Sequence, residues 1–385
     1  MFPDYRLARE ARSLSAAGHR VLVLSRKGPY LGFEINDPSI SVVRLEIESP
    51  VSGIFSLLFY ITTFLRAPVA LVRLALTWKA DVIHVQDLSF STAGFIAAKL
   101  LRLPLIVEFR DPYHIMISEA RLISGQNRFL RAIVELTGKI LALLELLICH
   151  AARFVVCVCD EEKLRLLRLG IPANKIVTIM NVPSSDELPK PKSRHLSNAH
   201  SPSIVYAGTL SPWKGLIVLL NAFKLLLSDV PHARLIILGD GISRHSLESL
   251  ATRLLISGNV YFLGWRDPGE AFDIIRSSDV AVIPHLISSM PDKLFVYMHC
   301  ATPTVASDFS GIRSILDANK CGLLFTNGDE AGLAALLKLV LGDRRLRRRL
   351  ASNAKLACER YNWDNESLKL IGMYAKLLNG CTNVE

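Results

Sequence analysis

Features that commonly assign a chain to a class are missing here. The seven cysteines, at 149, 157, 159, 300, 321, 358 and 381, are odd in number and contain no C-x-x-C pair. They lie mostly inside apolar runs, which favours buried thiols in a reducing compartment over a disulfide framework or a zinc ribbon. The ten histidines include no pair at metal-ligand spacing, so no metal site and no cofactor are expected, and His84 inside its apolar run reads as a core residue. The first twenty residues, MFPDYRLAREARSLSAAGHR, are charged and amphipathic and show no secretory signal. No run of twenty residues is cleanly apolar: Val51 to Leu76 comes closest but holds Arg66, Pro68 and Arg73, and is expected to lie on a surface instead of crossing one. Phe129 to Cys149 carries Arg131, Glu135, Lys139 and Glu145, a spacing that predicts an amphipathic helix with one polar stripe.

At 385 residues the chain exceeds what one hydrophobic core usually organises, so two domains are expected. Half the residues are hydrophobic and the mean hydropathy is +0.32, apolar for a soluble enzyme and compatible with contact at a membrane surface. The formal charge of +10 favours anionic partners, and nucleic acid, anionic lipid and phosphorylated substrates meet that condition equally. The run DRRLRRRL at 343–350 is the best case for nucleic acid. It also reads as a helix with Leu346 and Leu350 inward and solvated arginines, and no aromatic platform accompanies it, so nucleic acid is not expected.

Short apolar runs alternate with helical patterns: RVLVLS (20–25), DVIHVQ (81–86), PLIVEFR (104–110), RFVVCVC (153–159) and KIVTIMN (175–181). After a Pro- and Ser-rich stretch the alternation restarts with SIVYAG (203–208), ARLIILGDG (233–241), VYFLGW (260–265), VAVIPH (280–285), PTVAS (303–307) and GLLF (322–325). This predicts an α/β protein of two doubly wound, Rossmann-like domains facing a central cleft. The boundaries read as 1–185, a linker at 186–202, 203–360, and a helix over 361–385 that packs back toward the first domain. The opening helix, Asp4 to Gly18, runs into strand 20–25 with no strand before it. The first strand of such a sheet is normally central, so a missing N-terminus or an unusual sheet is expected.

Two segments suit an anion. YAGTLSPWKG (206–215) reads as strand, tight turn and helix, with Gly208 permitting close backbone approach and Lys214 near the helix start, where an ammonium would stabilise a departing diphosphate. A solvated lysine is the equally weighted alternative. PHLISSMPDKLFVYM (284–298) enters a helix through Pro291, which would turn the amides near Lys293 and Leu294 outward.

Taken in order, PDYRLAREARSLSAAGHRVLVL, DVIHVQD, PLIVEFRDPY, YAGTLSPWKG, LIILGDG, VYFLGW, DKLFVYM and TPTVASDFSGI resemble the landmarks of the retaining glycosyltransferases of family 4, whose fold is GT-B. The resemblance spans nearly the whole chain. It implies transfer of a sugar from a nucleoside diphosphate sugar to a lipid-linked or polysaccharide acceptor with retained configuration, protein groups instead of a required metal stabilising the leaving diphosphate. Lys214 takes the place of the family's phosphate-binding lysine, and Gly208, Asp292, Lys293, Leu294 and position 296 fall in the donor site. The arginine usual after the glycine is Thr209. The two glutamates spaced eight apart are Ser288 and Val296, and valine cannot accept a hydrogen bond from a ribose hydroxyl. Losing that charged acceptor removes roughly a few kcal/mol unless Asp292 or the main chain substitutes. The acceptor-side pair corresponds to Arg110 and Asp111; Asp111 either orients an acceptor hydroxyl or pairs with Arg110 at the strand end. The basic, apolar helices of the first domain suit a lipid-linked glycan acceptor, with peripheral contact at the cytoplasmic face of a membrane. Val296, Thr209 and the absent first strand also fit a GT-B pseudoenzyme or binding subunit.

Overall fold

The structure, a computed structural model, describes residues 5–26, 38–45, 54–109, 117, 128–184, 187 and 201–379. Contacts divide the chain into two compact units: Val182–Trp363, and the described residues within Pro3–Ile117, Gln126–Asn181 and Asp364–Glu385.

The N-terminal unit opens on α1 (Tyr5–Ala16) and the parallel strands β1 (Val21–Arg26) and β2 (Ile40–Leu45). There follow α2 (Ile54–Trp78), β3 (Ile83–Gln86), α3 (Leu88–Leu101), β4 (Leu105–Phe109), α4 (Arg128–Ala151), β5 (Phe154–Cys157), α5 (Asp160–Arg168) and β6 (Ile176–Thr178). Strands β3 to β6 form a parallel sheet in chain order. Every residue of β4 and β5 is buried, which is why both read as unbroken apolar runs. The sheet comes in two pieces: among the described strands β1 pairs only with β2, and β3 only with β4.

Helix α1 packs on both pieces. Ala11 joins Val23 and Ile40 in a small core, while Arg6 and Glu10 reach β3 and β4. Arg6 is fully buried; its Nε lies 2.9 Å from Glu10 Oε1 and donates to Glu108, and Nη2 donates to the Ile179 carbonyl at 3.1 Å. Gln86 Nε2 donates to Glu10 Oε2 at 2.7 Å, and His84 Nδ1 lies 3.0 Å from Tyr374 Oη. Glu10, His84 and Glu108 bring ligand-type atoms within 4.8 Å of one another. The positive charge that two buried carboxylates require is supplied there by Arg6. Burial, and then the charge of Glu108, holds the Glu10 carboxyl well above its ordinary range, and Arg6 is the cation placed between the two carboxyls.

Helix α4 departs from expectation. Arg131, Glu135 and Lys139 are exposed, but Glu145 is buried and paired with Arg165, which also binds Glu162. Six residues after Lys139, Glu145 lies about 120° away around the helix. The exposed face instead carries Ile133, Leu136, Ile140, Leu143 and Leu147, each about half exposed. Among the described residues no helix is long and apolar enough to cross a membrane.

The C-terminal unit runs β7 (Ser203–Ala207), a 3-10 turn (Pro212–Lys214), α6 (Leu216–Leu227), β8 (Arg234–Leu238), α7 (Arg244–Arg253), β9 (Val260–Gly264), α8 (Pro268–Ser277), β10 (Val280–Ile283), α9 (Asp292–His299), β11 (Thr304–Ser307), α10 (Ser310–Asn319), β12 (Gly322–Phe325), α11 (Glu330–Gly342) and α12 (Arg344–Ala357). The six parallel strands are ordered β12-β11-β10-β7-β8-β9. In α12 Asp343 caps the first turn by accepting from the Arg345 and Leu346 amides, and Leu346 and Leu350 point inward. The last helix, α13 (Trp363–Asn379), rejoins the first unit from residue 364: Glu366 accepts from the Met180 amide and Tyr374 meets His84.

The cluster at α1 has a measurable consequence. Glu10→Gln keeps the shape of the raised carboxyl and is expected to cost less than about 1 kcal/mol, whereas Arg6→Met leaves the buried Glu10 and Glu108 without their cation and costs about 3–5 kcal/mol. The folded state holds the Glu10 proton to higher pH than the unfolded chain. Stability contributed by this group therefore falls as pH rises above 4.5, and Glu10→Gln removes that slope. Urea unfolding of both variants at several pH values measures each effect.

Candidate active site

In the C-terminal sheet the strand order reverses between β10 and β7. The chain leaves their carboxyl ends toward opposite sides, which opens a crevice suited to a ligand. Two short segments line it, 208–215 after β7 and 284–291 after β10. A Cβ at Gly215 would collide with the Pro284 carbonyl, and the Leu286 amide donates to the Trp213 carbonyl at 2.8 Å. Only glycine permits this approach, and its φ of 72° also places it in the left-handed region. The contact brings Lys214, between Trp213 and Gly215, beside His285, between Pro284 and Leu286; the Trp213 and His285 rings meet edge to face at 5.1 Å. Lys214 Nζ sits 3.4 Å from the centre of the Trp213 ring.

Gly208 marks the end of β7, its amide donating to Leu238. A Cβ there would come 2.6 Å from Lys293 Nζ. Lys293 is only 8% exposed, its Nζ has no hydrogen-bond partner among the described residues, and it lies 3.8 Å from the centre of the Tyr206 ring. Tyr206 Oη donates to the Thr209 carbonyl, and Tyr297 Oη accepts from the Ala207 amide. His285 is fully buried, with Nδ1 3.2 Å from Ser289 Oγ and Nε2 likewise without a partner among the described residues. Burial first, and then the nearby Lys214, pushes the Lys293 amine well below the ordinary lysine range, with Asp292 opposing; burial, Lys214 and Lys293 push His285 down likewise. Among the described residues neither α6 nor α9 has a side-chain cap, so first-turn amides other than that of Leu294, which donates to Pro291, are available to an outside acceptor.

Gly208, Thr209, Lys214 and Lys293 thus gather around the switch point. Lys293 contributes its side chain, which the sequence pattern did not indicate. The Leu294 amide does not turn outward: it donates to the Pro291 carbonyl at 2.9 Å, because a three-residue bond tightens the first turn of α9. Asp292 is exposed, and Ser288 and Val296 are half-buried. Arg110 and Asp111 lie outside the described residues. His285, Tyr206 and Tyr297 were not anticipated; the position of His285 directly after the buried VAVIP run was the available signal.

Residues 4–181 match the family described as "Glycosyl transferase 4-like domain", and residues 189–357 match "Glycosyl transferases group 1". The D-inositol 3-phosphate glycosyltransferase of Jonesia denitrificans is 24% identical over 311 residues, covering 77% of this chain and 72% of that protein. The phosphatidyl-myo-inositol mannosyltransferase of Mycolicibacterium smegmatis is 32% identical over 164 residues, 42% of each chain. The structure of Anabaena HepE in complex with UDP and glucose superposes with a TM-score of 0.72 at 19% identity, covering 98% of this chain and 96% of that one. The fold is the α/β GT-B fold of two Rossmann-like domains. This chain belongs to the family 4 glycosyltransferases.

The Gly215 contact predicts that Gly215→Ala destabilises the protein by about 2 kcal/mol or more, since left-handed strain of about 1–3 kcal/mol adds to the clash with Pro284. Chemical denaturation followed by tryptophan fluorescence measures it, and an unchanged midpoint contradicts the packing.

Proposed function

We propose that this chain moves a sugar from a nucleoside diphosphate sugar to a lipid-linked glycan acceptor with retention of anomeric configuration, holding the donor diphosphate at the switch point between β7 and β10. The observation that carries this reading is the grouping of Lys214, Lys293 and His285 beside two helix N-termini without a side-chain cap among the described residues, where Asp292 is the described carboxylate acting on Lys293. Such a site suits phosphate oxygens. As the bond from the anomeric carbon to the terminal phosphate oxygen breaks and the acceptor oxygen bonds to that carbon, giving its proton to the departing phosphate oxygen, negative charge develops on the diphosphate, where Lys214 stabilises it. Asp111 is proposed to orient the acceptor hydroxyl beside Arg110. The UDP in HepE and the lipid named for the mycobacterial mannosyltransferase support the donor and acceptor classes.

For peripheral membrane contact, the supporting feature is α4. Its exposed stripe from Ile133 to Leu147 runs about 21 Å along the helix, with exposed Arg128, Arg131 and Lys139 on the same helix. Apolar residues entering the acyl boundary and cations facing anionic headgroups fit an inner-leaflet surface. Leu136→Glu/Leu143→Glu is expected to abolish co-sedimentation with phosphatidylglycerol vesicles while leaving nucleotide binding unchanged.

A binding subunit without turnover is the second reading, favoured by Val296, whose apolar side chain can accept no hydrogen bond. A calorimetric screen with UDP, GDP and their sugar conjugates tests both. The transferase reading expects saturable binding that Lys214→Ala weakens tenfold or more and Val296→Glu strengthens. No binding to any nucleotide sinks it, and binding without hydrolysis or transfer supports the second reading.

A further inference from the structure

Lys293 is buried on the first turn of α9 with its amine against the Gly208 backbone and, among the described residues, no hydrogen-bond partner. A buried amine in that condition is costly unless something arrives to bond it. Its neighbours do not meet that need. Tyr206 offers a ring face, Tyr206 and Tyr297 direct their hydroxyls to backbone groups, Lys214 and His285 are cationic or neutral, and Asp292 is exposed on the same turn. His285 Nε2 is a second buried nitrogen in the same condition. His285 follows β10 and Lys293 opens α9, so both flank the segment 284–291 that lines the strand-order reversal.

We infer that the Lys293 side chain is a direct ligand of the donor diphosphate, the second cation of the site beside Lys214. This rests on the nucleotide-sugar reading above. A diphosphate brings at least two negative charges and a departing one a third, more than the single ammonium of Lys214 offsets. Lys293 can answer that charge because its amine lies at the Gly208 turn, the point at which a phosphate must pass close to the backbone.

The assignment carries a proton. In the ligand-free protein the amine is held below the ordinary lysine range by burial and by Lys214; the incoming diphosphate stabilises the ammonium, so the neutral amine takes a proton from solvent as the anion binds. The folded, ligand-free protein binds fewer protons here than the unfolded chain, so its stability rises with pH from the depressed value up to 10.5. Diphosphate affinity runs the other way, falling as pH rises through that window.

The test is calorimetric titration of the full chain with UDP and with GDP at pH 8, in buffers of different ionisation enthalpy, for wild type, Lys293→Met and the exposed-lysine control Lys224→Met. Inorganic pyrophosphate serves as a base-independent probe. Expected are net proton uptake in the wild type, its loss in Lys293→Met together with a tenfold or greater loss of affinity, and wild-type behaviour in Lys224→Met. A purely structural lysine would leave proton uptake and its pH profile unchanged, and that result overturns the assignment even if stability falls. Should Lys293→Met fail to fold, wild-type binding without proton uptake still overturns it. If the wild type binds pyrophosphate but neither nucleotide, the nucleotide-sugar reading fails while the Lys293 anion site stands or falls on the pyrophosphate data. Absence of binding to all three probes overturns both.

Discussion

The reversal of strand order between β7 and β10 is the constraint on which the rest of the C-terminal unit depends. These strands pair in parallel, Ile204 opposite Val280 and Val205 opposite Ala281, so the segments after Ala207 and Ile283 emerge side by side although about eighty residues separate them. The crossovers then turn away on opposite faces, and the gap between them cannot be filled by the protein's own connections. Gly215 against the Pro284 carbonyl fixes how closely the two segments meet. From that contact follow the pairing of Trp213 with His285 and the position of Lys214. A bulkier residue at 215 would separate the segments and dissolve the cluster without touching a ligand.

The N-terminal unit has no comparable continuity. Among the described strands its sheet is divided between β1–β2 and β3–β6, and α1 bridges the two pieces with charge. Arg6, through Glu10, Glu108 and the Ile179 carbonyl, gathers elements that do not pair as strands. Buried ion pairs are a poor source of net stability, but removing one partner is expensive. This region is thus specified by geometry and charge balance more than by apolar burial.

The strands of the C-terminal sheet were legible because burial on both faces forces short, β-branched, uninterrupted runs such as SIVYA and VAVI. β2 was not, since ISVVRL keeps Val42 exposed and presents a mixed pattern. The placement of Gly208 and Lys214 could be read from strand, turn and helix order. The inward turn of Lys293 could not: a lysine beside a helix start is usually solvated, and nothing local records that Lys293 and Tyr297, four residues apart, share the face turned to β7. Glu145 was misassigned for a related reason. A polar residue in an apolar helix is taken for the wet side, whereas its partner Arg165 lies on the next helix, twenty residues away.

Charge balance separates the two kinds of buried ionisable group in this protein. Arg6 faces Glu108, and Arg165 faces Glu145 and Glu162; opposite charges sit together in each set, and burial raises the carboxyls of Glu10, Glu145 and Glu162. Lys214, Lys293 and His285 share one sign, and burial with mutual repulsion drives Lys293 and His285 toward their neutral forms. Desolvating like charges together is unfavourable unless a counter-charge arrives. A fold that only needed packing at this point would be better served by leucine or methionine at 293. The imbalance therefore has its use in binding, and what it calls for is a compact anion of more than one charge placed where the backbone, through Gly208, leaves room.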